Sequence, residues 1–168
     1  DKRGIDIAGC PLYEPAVASG IEPLREFIGL GGLTPFDLPS GRGELKSLIL
    51  TGSPDDELMV RFVLRSTESL VRIRKHMGLR QWLPHIAVIS VNLLPERKAV
   101  LEGEEEILLG PEQSLRMDLG DVVLRLRPQS FFQTNTRVAV GLYRQAREWV
   151  GLLCDAETAE SADLEAQS

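Results

Sequence analysis

At 168 residues, 43% hydrophobic and 26% charged, the chain has the composition of an ordinary folded domain with enough apolar side chains to bury a sizeable core. No apolar run reaches the ~20 residues that a membrane helix needs, and Asp1-Lys2-Arg3-Gly4 leads into no signal segment, so the expected location is the cytoplasm. The net charge of -6 argues against a nucleic-acid partner only on average, and two cysteines, Cys10 and Cys154, are too few for a disulfide framework or for a metal cluster built from this chain alone.

The charge is unevenly spread. Residues 151–168 hold Asp155, Glu157, Glu160, Asp163 and Glu165 and no Lys or Arg, which leaves the remainder nearly neutral. Leu58 to Trp82 carries Arg61, Arg65, Arg72, Arg74, Lys75 and Arg80 against Glu68 alone. That concentration fits a local RNA-contacting face, but it also fits the solvated faces of a strand and a helix, the commoner arrangement.

Taken in chain order, Pro15 to Ile28 places Val17, Ile21, Leu24 and Ile28 at helical spacing beside Phe27, with Gly29 and Gly31-Gly32 as a stop. Pro23 inside that pattern predicts a kink or a later start. Leu33 to Gly43 is a connecting loop. Leu45–Thr51 and Glu57–Leu64 predict a hairpin around Gly52-Ser53-Pro54-Asp55-Asp56, because two aliphatic runs flank a cluster of turn formers. A helix starting near Ser66, with Glu68 early and Arg74-Lys75-His76 late, ends before Gly78.

His85 to Leu94 predicts a strand rich in branched residues. Lys98–Glu102 and Glu105–Leu109 predict a second hairpin turning at Gly103, and Asp121–Arg127 alternates Val122, Leu124 and Leu126 against Val123, Arg125 and Arg127. A last helix runs from Thr136 to Leu153, with Val138, Leu142, Ala146, Trp149 and Leu153 on one stripe and Thr134 or Asn135 as its cap. Residues 154–168 are acidic and poor in large apolar side chains, which predicts a disordered tail. The expected fold class is α+β, a mostly antiparallel sheet with helices packed on one face.

The most distinctive local sequence is Arg127-Pro128-Gln129-Ser130-Phe131-Phe132-Gln133-Thr134-Asn135, where a strand ends at a proline and a helix begins. Helix entrances of this kind present free amides to a ligand, although a simple capped helix with Phe131 and Phe132 in the core and Gln133 on the surface fits the same residues.

This junction, together with the helix VAVGLYRQAREWV that follows it, resembles the segment entering the catalytic domain of bacterial 23S ribosomal RNA (uracil-5-)-methyltransferases. Cys10-Pro11-Leu12-Tyr13, Arg42-Gly43-Glu44-Leu45-Lys46 and Leu58 to Ser66 fall in the order that family requires, so the resemblance runs from Cys10 to Leu153. It implies a central region of such an enzyme: a domain over 1–127, a junction and first helix over 128–153, and an acidic tail over 154–168. It further implies that Gln133 contacts S-adenosylmethionine and that Cys10 is the fourth ligand of a 4Fe-4S cluster whose other three cysteines lie in a missing N-terminal region.

In that family a cysteine thiolate adds to C6 of uracil and a carboxylate base later removes the C5 proton. Neither has a matching position here, and Cys154 lacks the family setting. The Gly-rich turn that would hold most of the cofactor in the C-terminal methyltransferase domain is missing as well. The expected function is therefore a part, inactive alone, of a cytoplasmic transferase forming 5-methyluridine in 23S rRNA. The expected RNA surface consists of Arg42, Lys46, Arg61, Arg65 and Arg127, with Phe131 and Phe132 near the flipped base or the cofactor. The alternative is a stand-alone, non-catalytic RNA-binding or ribosome-associated module, with a ligand-binding regulatory domain behind it.

Overall fold

A computed structural model describes the backbone of residues 5–75, 78, 83–97, 99–133 and 135–165, and the side chains of these except Lys75 and 152–165. Helix α1 (Pro15–Leu30) opens with proline at a position where no amide hydrogen is needed, and it carries Pro23 within its span. Ala16, Gly20, Leu24 and Phe27 form its buried face, with Val17 and Ile28 flanking the core. The apolar stripe is thus centred on a glycine and an alanine. The reason is close approach: a Cβ on Gly20 would come within 2.8 Å of Leu58 Cδ2. Two turns on, the Phe27 ring meets Phe62 with centroids 5.7 Å apart.

Strands β1 (Leu45–Gly52) and β2 (Leu58–Leu64) form the expected hairpin, antiparallel and in register from Leu48 opposite Phe62 to Gly52 opposite Leu58. Its turn is organised by Ser53, whose hydroxyl accepts the amides of Asp55 and Glu57. Helix α2 (Leu70–Lys75) is shorter than expected, since Ser66 and Thr67 bond the amides of Glu68 and Leu70 as a turn before it. The expected ending at His76 lies outside the described residues. Strand β3 (Ile86–Leu93) then joins β2 in parallel, and β4 (Glu105–Leu108) closes the order β1-β2-β3-β4 antiparallel to β3.

The second expected hairpin does not form as predicted. No described residue of 98–102 is in a strand, and Val100 and Leu101 are exposed. The backbone of Gly103 bonds instead to the side chain of Asn92, which takes the place a neighbouring strand would fill. Strand β5 (Leu115–Asp118), which the sequence reading did not single out, pairs antiparallel with β6 (Val123–Leu126). The fold class is α+β, and among the described residues three of the four strand pairings are antiparallel.

Seven consecutive residues of β2 are buried. Leu58, Val60, Phe62 and Leu64 join Leu24, Phe27 and Ile89 in the main core, and the alternate positions Met59, Arg61 and Val63 point to the opposite face of the sheet. The chain divides into two units, residues 1–131 and 132–168. The second consists chiefly of helix α3 (Thr136–Glu165), which continues past Leu153 through the stretch expected to be a disordered tail. Alanine and glutamate dominate that stretch, and both are strong helix formers even where little surface is buried. Among the described residues no helix is long and apolar enough to cross a membrane.

Candidate functional site

The junction begins where β6 runs into the buried Pro128. A turn follows, closed by the Ser130 amide donating to Arg127 O at 3.0 Å. Gln129 Nε2 donates to Gly103 O at 3.2 Å and to Glu104 O at 3.1 Å. Phe131 is 87% exposed, so it is no core plug, and Phe132 is half-buried. In the second unit Gln133 is exposed, and its amide has no partner among the described residues. Asn135 Oδ1 accepts the Val138 amide at 3.1 Å, which makes Asn135 the cap of α3; Thr134, the other expected cap, lies outside the described residues. The helix thus begins three residues after a side-chain amide that has no partner among the described residues.

The expected cationic surface divides. Arg61 does not belong to it: its side chain is only 5% exposed and is bonded to both oxygens of Glu106, at 3.0 Å and 2.7 Å, and to Glu102. Burial works against its charge, but the two carboxylates outweigh that and raise its pKa. Burial likewise opposes ionisation of Glu106, yet bonds from Arg61, Ser90 and Asn92 hold it below the usual glutamate range. The Arg61 charge is consumed inside the protein.

Arg65 is intermediate. It forms a two-point pair with Glu44 Oε1 (3.0 Å and 2.7 Å) and donates to Gly41 O at 3.2 Å, while remaining partly exposed. Glu44 is buried; despite that, the Ser66 hydroxyl and Arg65 keep its carboxyl low. Lys46 lies 5.0 Å from the centroid of the Phe36 ring and donates to Glu96 O at 2.5 Å. Its pKa is lowered, first by burial and then by Arg65 and Arg97, partly offset by Glu96. Arg42 is exposed next to Gly43, whose φ of 96° and contact with Pro35 O, 2.0 Å from where a Cβ would sit, admit only glycine.

Arg42 thus lies in the 37–43 loop, Arg65 bonds to its Gly41 carbonyl, and Lys46 stands over Phe36 just before it. Arg97 joins them, with its guanidinium over Gly41, 1.5 Å from where a Cβ would sit. The sequence reading missed Arg97; the signal was the charged run Glu96-Arg97-Lys98 after Pro95. Arg127 is exposed just past the end of β6, apart from this group in sequence and two residues from the exposed Arg125.

Cys10 is a partly exposed free thiol in a turn held by its own amide donating to Ile7 O at 3.0 Å. Among the described residues no group of three or more His, Cys, Asp or Glu side chains is placed to hold a metal, and the side chain of Cys154 lies outside them. Close by, an open cavity of about 360 Å³ is lined by Ile5, Asp6, Ile7, Ala8, Tyr13, Ile21 and Arg25.

No family model matches the chain. Individual proteins match it strongly. A solved structure similar in both fold and sequence is that of the Pyrococcus abyssi tRNA (uracil-54, C5)-methyltransferase in complex with S-adenosyl-L-homocysteine, with a TM-score of 0.67 and 25% identity over 87% of this chain and 35% of that one. The fold is thus similar to part of an RNA (uracil-C5)-methyltransferase. More particularly, the chain is 48% identical over 152 residues to a Halothiobacillus neapolitanus protein and 48% identical over 155 residues to an Edwardsiella ictaluri protein, both named 23S rRNA (uracil(747)-C(5))-methyltransferase RlmC. A Haemophilus influenzae protein of the same name is 44% identical over 151 residues. These matches cover 89%, 91% and 89% of this chain, and the chain spans about 40% of the length of the curated relatives it matches.

Proposed function

We propose that this chain is part of an S-adenosylmethionine-dependent methyltransferase that forms 5-methyluridine in 23S rRNA. The observation that carries this reading is the 48% identity, over 89% of the chain, to a protein named for that reaction. The structural likeness to a methyltransferase holding S-adenosyl-L-homocysteine supports the choice of cofactor. When bound, S-adenosylmethionine supplies the methyl group. This chain's own share is binding and placement, and the catalytic cysteine and the carboxylate base are assigned to the remaining length of the protein, as is most of the cofactor site.

Gln133 suits a cofactor contact. Its exposed amide lies just before the N-terminus of α3, and a neutral donor and acceptor adds no charge next to a cationic sulfonium. The RNA surface we assign comprises Arg42, Lys46, Arg65 and Arg97 around one loop, with Arg127, Phe131 and Phe132 at the junction. Arginine and lysine there neutralise backbone phosphate, and exposed phenylalanine offers a stacking face to an unstacked base. Cys10 is assigned as one iron-sulfur ligand. A 4Fe-4S cluster takes four thiolates and the described residues supply one, so the site is not complete in them and no step depends on it.

The test is methyl transfer from labelled S-adenosylmethionine to unmodified 23S rRNA by the full-length protein. Transfer to C5 of a single uridine is the expected result, and the 168-residue chain alone should transfer nothing. Binding of rRNA without transfer would favour a non-catalytic module. In the same protein Arg42→Glu and Arg127→Glu should each weaken rRNA binding and reduce its salt slope by about 1.

A further inference from the structure

Asn92 is fully buried on β3 and reads both backbone groups of one distant residue: its Oδ1 accepts the Gly103 amide at 2.6 Å and its Nδ2 donates to Gly103 O at 3.0 Å. The second hydrogen of that amide donates to Glu106 Oε2 at 2.9 Å. Glu106 is in turn held by Arg61 and by the Ser90 hydroxyl. No buried side-chain polar atom among the described residues lacks a partner, so the network has one defined arrangement. Only glycine fits at its end, because a Cβ on residue 103 would lie 2.0 Å from Leu93 O.

A carbonyl oxygen has two lone pairs. Asn92 takes one at Gly103, and Gln129, from the junction, takes the other at 3.2 Å while also reaching Glu104 O at 3.1 Å. The geometry points to Asn92 and Gln129 as positioning residues: through the backbone of Gly103 and Glu104 they fix where the chain leaves the sheet unit toward Phe132 and Gln133. From Gln129 to Gln133 the chain spans at most roughly 14 Å, so pinning the one limits the volume the other can sample. The consequence for cofactor binding rests on the reading of Gln133 given above, whereas the pinning itself does not. Replacing a buried ionic network by apolar packing of the same shape is often neutral or stabilising, so a role in placing a loop is a reason for keeping this one.

Gln129 is exposed, so its bonds can be removed without opening the core. Gln129→Glu keeps the shape but presents acceptors to two carbonyls, and Gln129→Lys keeps donors. In the full-length protein, Gln129→Glu should speed amide exchange at residues 130–133 and raise KM for S-adenosylmethionine at least about fivefold, the worth of one of the two lost hydrogen bonds, with kcat and KM for RNA unchanged. Gln129→Lys should behave as the unmodified protein in all four. Unchanged exchange at 130–133 in Gln129→Glu overturns the proposal, as does equal behaviour of the two variants. Gln133→Ala separates the two readings. If it leaves KM for S-adenosylmethionine unchanged while Gln129→Glu still speeds exchange, the seating stands and the cofactor role of Gln133 falls.

Discussion

Strand β2 and helix α3 are both strongly apolar in pattern, and they end in opposite conditions. All seven residues of β2 are buried, its arginine included. On α3, Val138, Leu142, Tyr143, Trp149 and Val150 are each between 46% and 62% exposed. Periodicity reports which side of an element is apolar, not whether anything covers it. Where covering is complete, as on both faces of β2, a charge survives only if its partners are buried with it. Where it is not, stability has to come from elsewhere.

The largest effect expected from this contrast is at Arg61. Arg61→Leu leaves Glu106 buried without its counter-charge and should cost about 3 kcal/mol of stability, read as a lower urea midpoint. Adding Glu106→Leu to it should restore part of the loss; a double variant less stable than the single would break the account of the network. Next, amide exchange in the 168-residue chain should be slowest in β2 and β3 and faster in residues 136–150 of α3, because protection follows buried contacts. Equal protection would erase the comparison.

A smaller effect is expected with acid. Glu44 and Glu106 have carboxyl pKa values depressed in the folded protein, so their contribution is full at neutral pH and is lost as pH falls below the usual glutamate range and through the folded values. Stability followed from about pH 7 down to about pH 3 should fall, and fall less in the Arg61→Leu, Glu106→Leu double variant. The smallest effect is at the surface: Arg97→Ala should change stability by less than about 0.5 kcal/mol while weakening rRNA binding severalfold.

Much of this fold is legible in local sequence. The β1–β2 hairpin follows from two aliphatic runs about a Ser-Pro-Asp-Asp turn, and β3 from its branched residues. What is not legible is pairing. Nothing local says that β2 and β3 run parallel, or that the only charge in Leu58–Leu64 meets a carboxylate 45 residues further on. That lone Arg61 in an otherwise apolar strand was itself the available signal, since a strand buried on both faces has no surface to put it on. β5 escaped notice because four residues including Arg116 and Asp118 show too short an alternation. Its clue was the turn before β6, where Gly120 has a φ of 88° and donates to Asp118. The helix after Leu153 is not legible for a different reason: composition that cannot form a core can still form a helix.

At the candidate site the junction was legible as a motif, and its chemistry rested on resemblance. Gln133 is exposed just before α3 and has no side-chain partner among the described residues. The cationic loop was half legible: Arg42, Lys46 and Arg65 by composition, Arg97 only once the chain had folded it over Gly41.

The proposed function is that of part of an enzyme methylating C5 of a uridine in 23S rRNA. The most direct test maps 5-methyluridine in 23S rRNA from cells with and without the parent gene, and again after complementation with the gene and with its Gln133→Ala variant. The account predicts loss of one 5-methyluridine on deletion, full restoration by the gene and reduced restoration by the variant. An unchanged methylation pattern on deletion would contradict it.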